Sequence, residues 1–116
     1  MKTESRIQQE IVIWFRNNYC TKLKKTRCAI FSVPNERKNQ KEMMSMIATG
    51  LMSGVSDLVV LLPGKVLFVE VKTESGKQQP KQIEFEKTVK YLGFDYFVVR
   101  SLDEFKLLID GSNLDQ

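Results

Sequence analysis

Histidine is absent from the 116-residue chain. That absence excludes a Ser-His-Asp triad, a Cys-His pair, a His-rich zinc site and any nuclease with a histidine general base. Carboxylates, lysines and hydroxyls are left for chemistry. The two cysteines, Cys20 and Cys28, are too few for a disulfide framework and lack CxxC spacing, so a reduced compartment is expected. No run approaches the ~18 apolar residues of a membrane span, and the amino terminus leads into an amphipathic stretch. A cytoplasmic protein is expected, without membrane or nucleotide-cofactor partners. Repeats, linkers and low-complexity segments are also missing. With 42% hydrophobic and 28% charged residues, the composition is that of one globular domain, able to bury a core without a disulfide or structural metal.

The net charge of +4 is unevenly spread. Residues 16–41 hold Arg16, Lys22, Lys24, Lys25, Arg27, Arg37, Lys38 and Lys41 against Glu36 alone, a local charge of +7 in a chain otherwise net acidic. A charge run of this kind fits a solvated face or a polyanion site equally well.

Apolar periodicity gives the element order. Ile7, Ile11, Trp14 and Phe15 form the stripe of a helix over residues 4–18 with Thr3 as N-cap. At 100° per residue Glu4 and Gln8 fall inside that stripe, which places a carboxylate on the core side. An acid in a first helical turn is also favoured by the helix dipole and can simply face water. Residues 27–33 read as a strand, and residues 39–51 as a helix whose methionines pack. Residues 57–62 and 65–73 read as a hairpin about Pro63-Gly64. Residues 80–92 read as a helix with Phe85, Val89 and Leu92 on one stripe, Gln82 on that same stripe and Gly93 at C′. A strand over 94–100, a short helix over 102–109 and a polar tail over 111–116 complete the order αβαββαβα. Residues 1–110 therefore form one α/β domain, a mixed sheet flanked by helices.

The hairpin carries the chemistry. Strand side chains alternate, so Glu70 and Lys72 share a face about 6.6 Å apart. Pairing about Pro63-Gly64 brings Asp57 opposite Glu70, and two like charges so placed repel unless a cation lies between them. A hard divalent ion such as Mg²⁺ would suit Asp57, Glu70 and the Val71 backbone carbonyl with waters retained. Lys72 would hold a nucleophile or a phosphate oxygen. A plain cross-strand salt bridge is the alternative.

Asp57…Glu70-Val71-Lys72 resembles the PD-(D/E)XK nuclease signature. Its wider context, from Glu4-x-x-Ile7-Gln8 through Val33-Pro34-Asn35-Glu36, Gly50-x-x-x-Gly54-Val55-Ser56-Asp57, Gln82 and Val98-Val99-Arg100-Ser101, resembles the VRR-NUC branch, including stand-alone phage members. The resemblance implies a restriction-endonuclease-like fold and a Mg²⁺- or Mn²⁺-dependent DNA endonuclease. Asp57, Glu70 and the Val71 carbonyl would bind metal, with Lys72 as the catalytic lysine and Glu4 and Gln82 completing the site. It further implies a homodimer acting on branched DNA such as four-way junctions, in the bacterial host cytoplasm if phage-encoded. The alternative is a noncatalytic nucleic-acid-binding or assembly protein on the same fold. Phosphate contacts would come from Lys22, Lys24, Lys25, Arg27, Arg37, Lys38 and Lys41, with Arg100 as a phosphate or structural contact. Ser56 replaces a usual proline, and Ser101 the branch's second arginine.

Overall fold

The Thr3 hydroxyl accepts a hydrogen bond from the Arg6 N–H at 3.1 Å, and the chain enters its first helix there, as the sequence predicts. A computed structural model describes residues 2–20, 28–33, 40–50, 52 and 54–111. Helix α1 (Glu4–Phe15) passes into a π-helical turn (Arg16–Cys20), followed by strand β1 (Ala29–Ser32), helix α2 (Gln40–Ala48), strands β2 (Leu58–Leu62) and β3 (Lys65–Val71), helix α3 (Pro80–Tyr91), strand β4 (Asp95–Val99) and helix α4 (Leu102–Asp110). The αβαββαβα order of the sequence holds.

The four strands form one mixed sheet in the order β1-β2-β3-β4. β2 runs antiparallel to its neighbours β1 and β3, and β4 returns parallel to β3 after the α3 crossover. The hairpin register is the one expected from Pro63-Gly64, with Leu62 opposite Lys65 and Leu58 opposite Val69. Gly64 takes the left-handed conformation in that turn, at φ +69°.

Alternation along the strands sorts the side chains onto two faces. Ile30, Leu58, Val60, Leu67, Val69, Val71 and Val99 point one way and pack with Ile7, Ile11 and Phe15 of α1 and Phe105 and Ile109 of α4. The other face carries a smaller cluster in which Phe85 and Val89 of α3 meet Phe68, Tyr96 and Val98. Phe85 packs edge-on to Phe68 and Tyr96, with ring centroids 5.7 and 6.0 Å away. Farther along this face Phe31 and Leu61 are exposed.

Three expectations need correction. Glu4 is exposed rather than core-facing, because the buried stripe of α1 begins at Ile7, one turn into the helix. Leu92 does not continue the buried stripe of α3; it is the C-cap and stands in solvent, with Gly93 at φ +91° turning the chain. The methionines of α2 do not all pack inward, since Met44 and the neighbouring Ile47 are exposed while Met46 is half-buried.

Candidate active site

The apolar run of β3 ends in Glu70-Val71-Lys72, and the sheet buries all three. Val71 joins the core of the α1/α4 side, while Glu70 turns to the α3 side. Lys72 follows Glu70 by two residues, and its Nζ lies 3.6 Å from Glu70 Oε2. Glu70 has no solvent exposure and Lys72 only 6%. Taking both charges out of water costs several kcal/mol per ion, on the order of magnitude, before their attraction offsets it. At 3.6 Å the contact is an ion pair without a hydrogen bond, and Oε2 is the one buried side-chain atom left without a hydrogen-bond partner among the described residues.

Glu70 Oε1 is fully engaged. The Tyr96 hydroxyl donates to it in a short hydrogen bond, and Gln78 Nε2 donates at 3.1 Å. Burial, then the Glu70 carboxylate, pushes the Tyr96 phenol far above its ordinary value, so this hydroxyl stays a donor.

Asp57 stands one residue before the paired part of β2 and is held from both sides. Its carbonyl accepts from the Val33 N–H at 3.1 Å, and its Oδ2 accepts from the Val71 N–H at 2.7 Å. Burial is the main force raising the Asp57 carboxyl above its ordinary value; the Glu70 and Glu4 charges add to it, while the Val71 N–H and Lys72 oppose it. The fields of two other acids thus meet at Asp57. Among the described residues no three of these side chains form a closed ligand cluster.

Two features seat the loop before Asp57. Ser56 is buried and its hydroxyl donates to the Leu58 carbonyl at 3.2 Å. Gly54 is at φ +81° and lies against the first turn of α3 so closely that a Cβ would sit 2.3 Å from the Lys81 carbonyl oxygen. Only glycine satisfies both the backbone angle and that approach.

A family model for the VRR-NUC domain matches residues 2–103. The chain belongs to the VRR-NUC family. This is a nuclease family, and the domain is of nuclease type. Among solved structures, a chain described as a VRR_NUC domain protein is 18% identical over 97% of this chain and 89% of its own, with a TM-score of 0.75. A second, described as a VRR_NUC domain, is 25% identical over 96% and 99%, with a TM-score of 0.65. No curated protein matches.

Within the VRR-NUC domain, the remaining predicted residues fall into distinct places. Gln82 is half-buried in the first turn of α3, and its Oε1 accepts from the Gln79 N–H at 2.7 Å, which closes the helix start. Glu4 reaches Asp57 by its charge from the start of α1. Arg100 turns its Nη1 onto the carbonyls of Gly76 at 2.6 Å, Thr73 at 2.7 Å and Glu74 at 3.3 Å, pinning the loop after Lys72 in a structural contact. Arg16 Nη2 donates to the Ile30 carbonyl at 3.5 Å, and Lys41 is exposed on α2. Lys22, Lys24, Lys25, Arg27, Arg37 and Lys38 lie outside the described residues. Sequence reasoning missed Gln78 and Tyr96. The signal for Tyr96 is its place two residues from Val98 on a strand running parallel to β3, a register that a sequence alone leaves open.

Proposed function

We propose that the domain is a Mg²⁺-dependent endonuclease acting on DNA. One observation carries this reading: a fully buried glutamate presents an oxygen without a hydrogen bond beside a buried lysine, next to an aspartate whose charge burial, and after it the neighbouring acids, disfavour. Such an arrangement is costly for a structural salt bridge and suited to binding a cation. The donors fit a hard divalent ion. Asp57, Glu70 through Oε2 and the Val71 carbonyl would hold it, with waters filling the rest of its shell. When bound, the ion would supply Lewis acidity at the phosphodiester and acidify the attacking water.

The chain's own residues do the rest. Tyr96 and Gln78 hold Glu70 by one oxygen, and the sheet amide of Val71 fixes Asp57. Lys72, kept in reach of the same space by Glu70, is placed to donate hydrogen bonds to a phosphate oxygen or to the incoming water as negative charge develops. The basic window of residues 16–41 supports the choice of a polyanionic substrate. Six phosphate contacts on duplex DNA would give a log–log salt slope of about −5.

A branched substrate and a homodimer are the finer parts of the proposal. Two identical sites related by a twofold axis suit paired cuts in a four-way junction. Exposed Phe31 and Leu61 on the sheet, and Met44 and Ile47 on α2, give the chain apolar surface for a second copy to cover.

The test is cleavage of labelled duplex, flap and four-way junction DNA and of matching RNA, with Mg²⁺ or EDTA, for the wild type, Glu70→Ala and Lys72→Ala. Junction cutting that needs Mg²⁺ and disappears in both variants is expected. Cleavage that persists in both refutes the site; binding of DNA indifferent to Mg²⁺ and to Asp57→Ala, with no cleavage, favours the noncatalytic alternative.

A further inference from the structure

Glu70 is the end of a chain of polar side chains that runs out to the surface of α3. Gln78, in the loop before that helix, donates from Nε2 to Glu70 Oε1 at 3.1 Å and to Glu86 Oε1 at 2.9 Å. Both partners are carboxylates, which only accept, so the amide nitrogen must face them and both of its hydrogens are used. Lys90 Nζ in turn lies 2.5 Å from Glu86 Oε2. On the other side, the Tyr96 hydroxyl reaches the same Glu70 oxygen, with its ring set by the edge contact to Phe85. Both side chains that hydrogen-bond Glu70, Tyr96 and Gln78, converge on Oε1; Oε2 accepts no hydrogen bond and faces the Lys72 ammonium at 3.6 Å.

We propose that Tyr96 and Gln78 are positioning residues that saturate one oxygen of Glu70 and leave the other, beside Lys72, without a hydrogen bond, and that this sets which divalent ion the site prefers. The proposal rests on the reading of Asp57 and Glu70 as a metal site. A carboxylate with one oxygen committed to two donors offers a single ligand atom. Small ions with a strict octahedral shell accept that offer, whereas Ca²⁺, with six to eight ligands and frequent bidentate carboxylates, gains from a carboxylate able to present both oxygens. Partners behind a metal ligand change ion affinity by roughly 10- to 100-fold when removed.

The experiment is titration of the metal-free protein with Mn²⁺ and with Ca²⁺ by isothermal calorimetry, comparing wild type with Tyr96→Phe, Gln78→Leu and Asp57→Ala. Tyr96→Phe keeps the ring against Phe85, and Gln78 lies in a loop, so the two variants test the claim independently should either be poorly folded. Wild type is expected to favour Mn²⁺. Tyr96→Phe and Gln78→Leu are each expected to weaken Mn²⁺ by about 10-fold or more and to weaken Ca²⁺ less, narrowing the Mn²⁺/Ca²⁺ ratio. A purely structural role would lower both affinities together. An unchanged ratio in both variants, with binding still lost in Asp57→Ala, overturns the positioning role and leaves the metal site standing. Absence of Mn²⁺ binding in wild type, or undiminished binding in Asp57→Ala, overturns the metal reading and the positioning role with it.

Discussion

The two faces of the sheet are built on opposite principles. Toward α1 and α4 the sheet offers Leu58, Val60, Leu67, Val69 and Val71, whose burial among Ile11, Phe15, Phe105 and Ile109 is uniformly favourable. Toward α3 the apolar cluster is smaller, and alongside it the same strands bury Glu70, Lys72 and the Tyr96 hydroxyl. One face stabilises the domain; the other spends some of that stability on an arrangement of charges that folding alone does not reward. Because neighbouring residues on β3 serve opposite faces, Val71 and Glu70 belong to the two regimes while touching along the backbone.

Substitutions on the two faces should therefore fail in different ways. The largest loss of stability is expected from Phe105→Ala, which empties a fully buried ring site in contact with Phe15 and Trp14, at about 3–5 kcal/mol by chemical denaturation. On the other face, Lys72→Ala should lower cleavage by about 100-fold or more while the far-UV spectrum stays that of a folded protein. A loss of activity from Phe105→Ala in protein that remains fully folded would break the contrast. Gly54→Ala bridges the two regimes, since the new methyl would collide with the Lys81 carbonyl at a positive φ. It should cost more than about 1 kcal/mol and displace the Asp57 loop, so stability and activity fall together.

The smallest effect has the opposite sign. The Asp57 carboxyl is raised, by burial first and then by the Glu70 and Glu4 charges, so the folded protein binds its proton more tightly than the unfolded chain does. Stability contributed at this position is then fully present below the unfolded value and is lost as pH rises from there through the raised folded value. Asp57→Asn, whose side-chain oxygen can still accept from the Val71 N–H, should raise the melting temperature of the metal-free protein at neutral pH. The gain should vanish on acidification into the ordinary carboxyl range. A melting temperature unchanged at neutral pH would show that Asp57 carries no electrostatic burden.

Much of this was legible in residue order. The turn at Pro63-Gly64 fixed the register that brings Asp57 next to the Glu70 and Val71 end of β3, and strand alternation placed Lys72 beside Glu70. The seven-residue spacing of Ile7 and Trp14 and the caps at Thr3 and Gly93 marked the helices. Helical angle alone misplaced Glu4, since a wheel has no knowledge of where the sheet ends. It also put Gln82 on the buried stripe, whereas a glutamine at the third position of a helix can serve the backbone of its own first turn, as this one does. Gln78 and Tyr96 were beyond reach for a different reason: their meeting at Glu70 depends on a parallel crossover and a loop conformation, neither of which has a local pattern. Arg100 stood in the sequence as a phosphate or structural contact, and three carbonyls of a distant loop decide it.

The grip on Asp57 has a wider consequence. Its backbone oxygen is bound to the strand on one side and its carboxylate to the strand on the other, so the residue has been threaded through the sheet like a rivet. The entropy of orienting that carboxylate is settled when the chain folds, and a ligand arriving later meets an acid that has no search left to make.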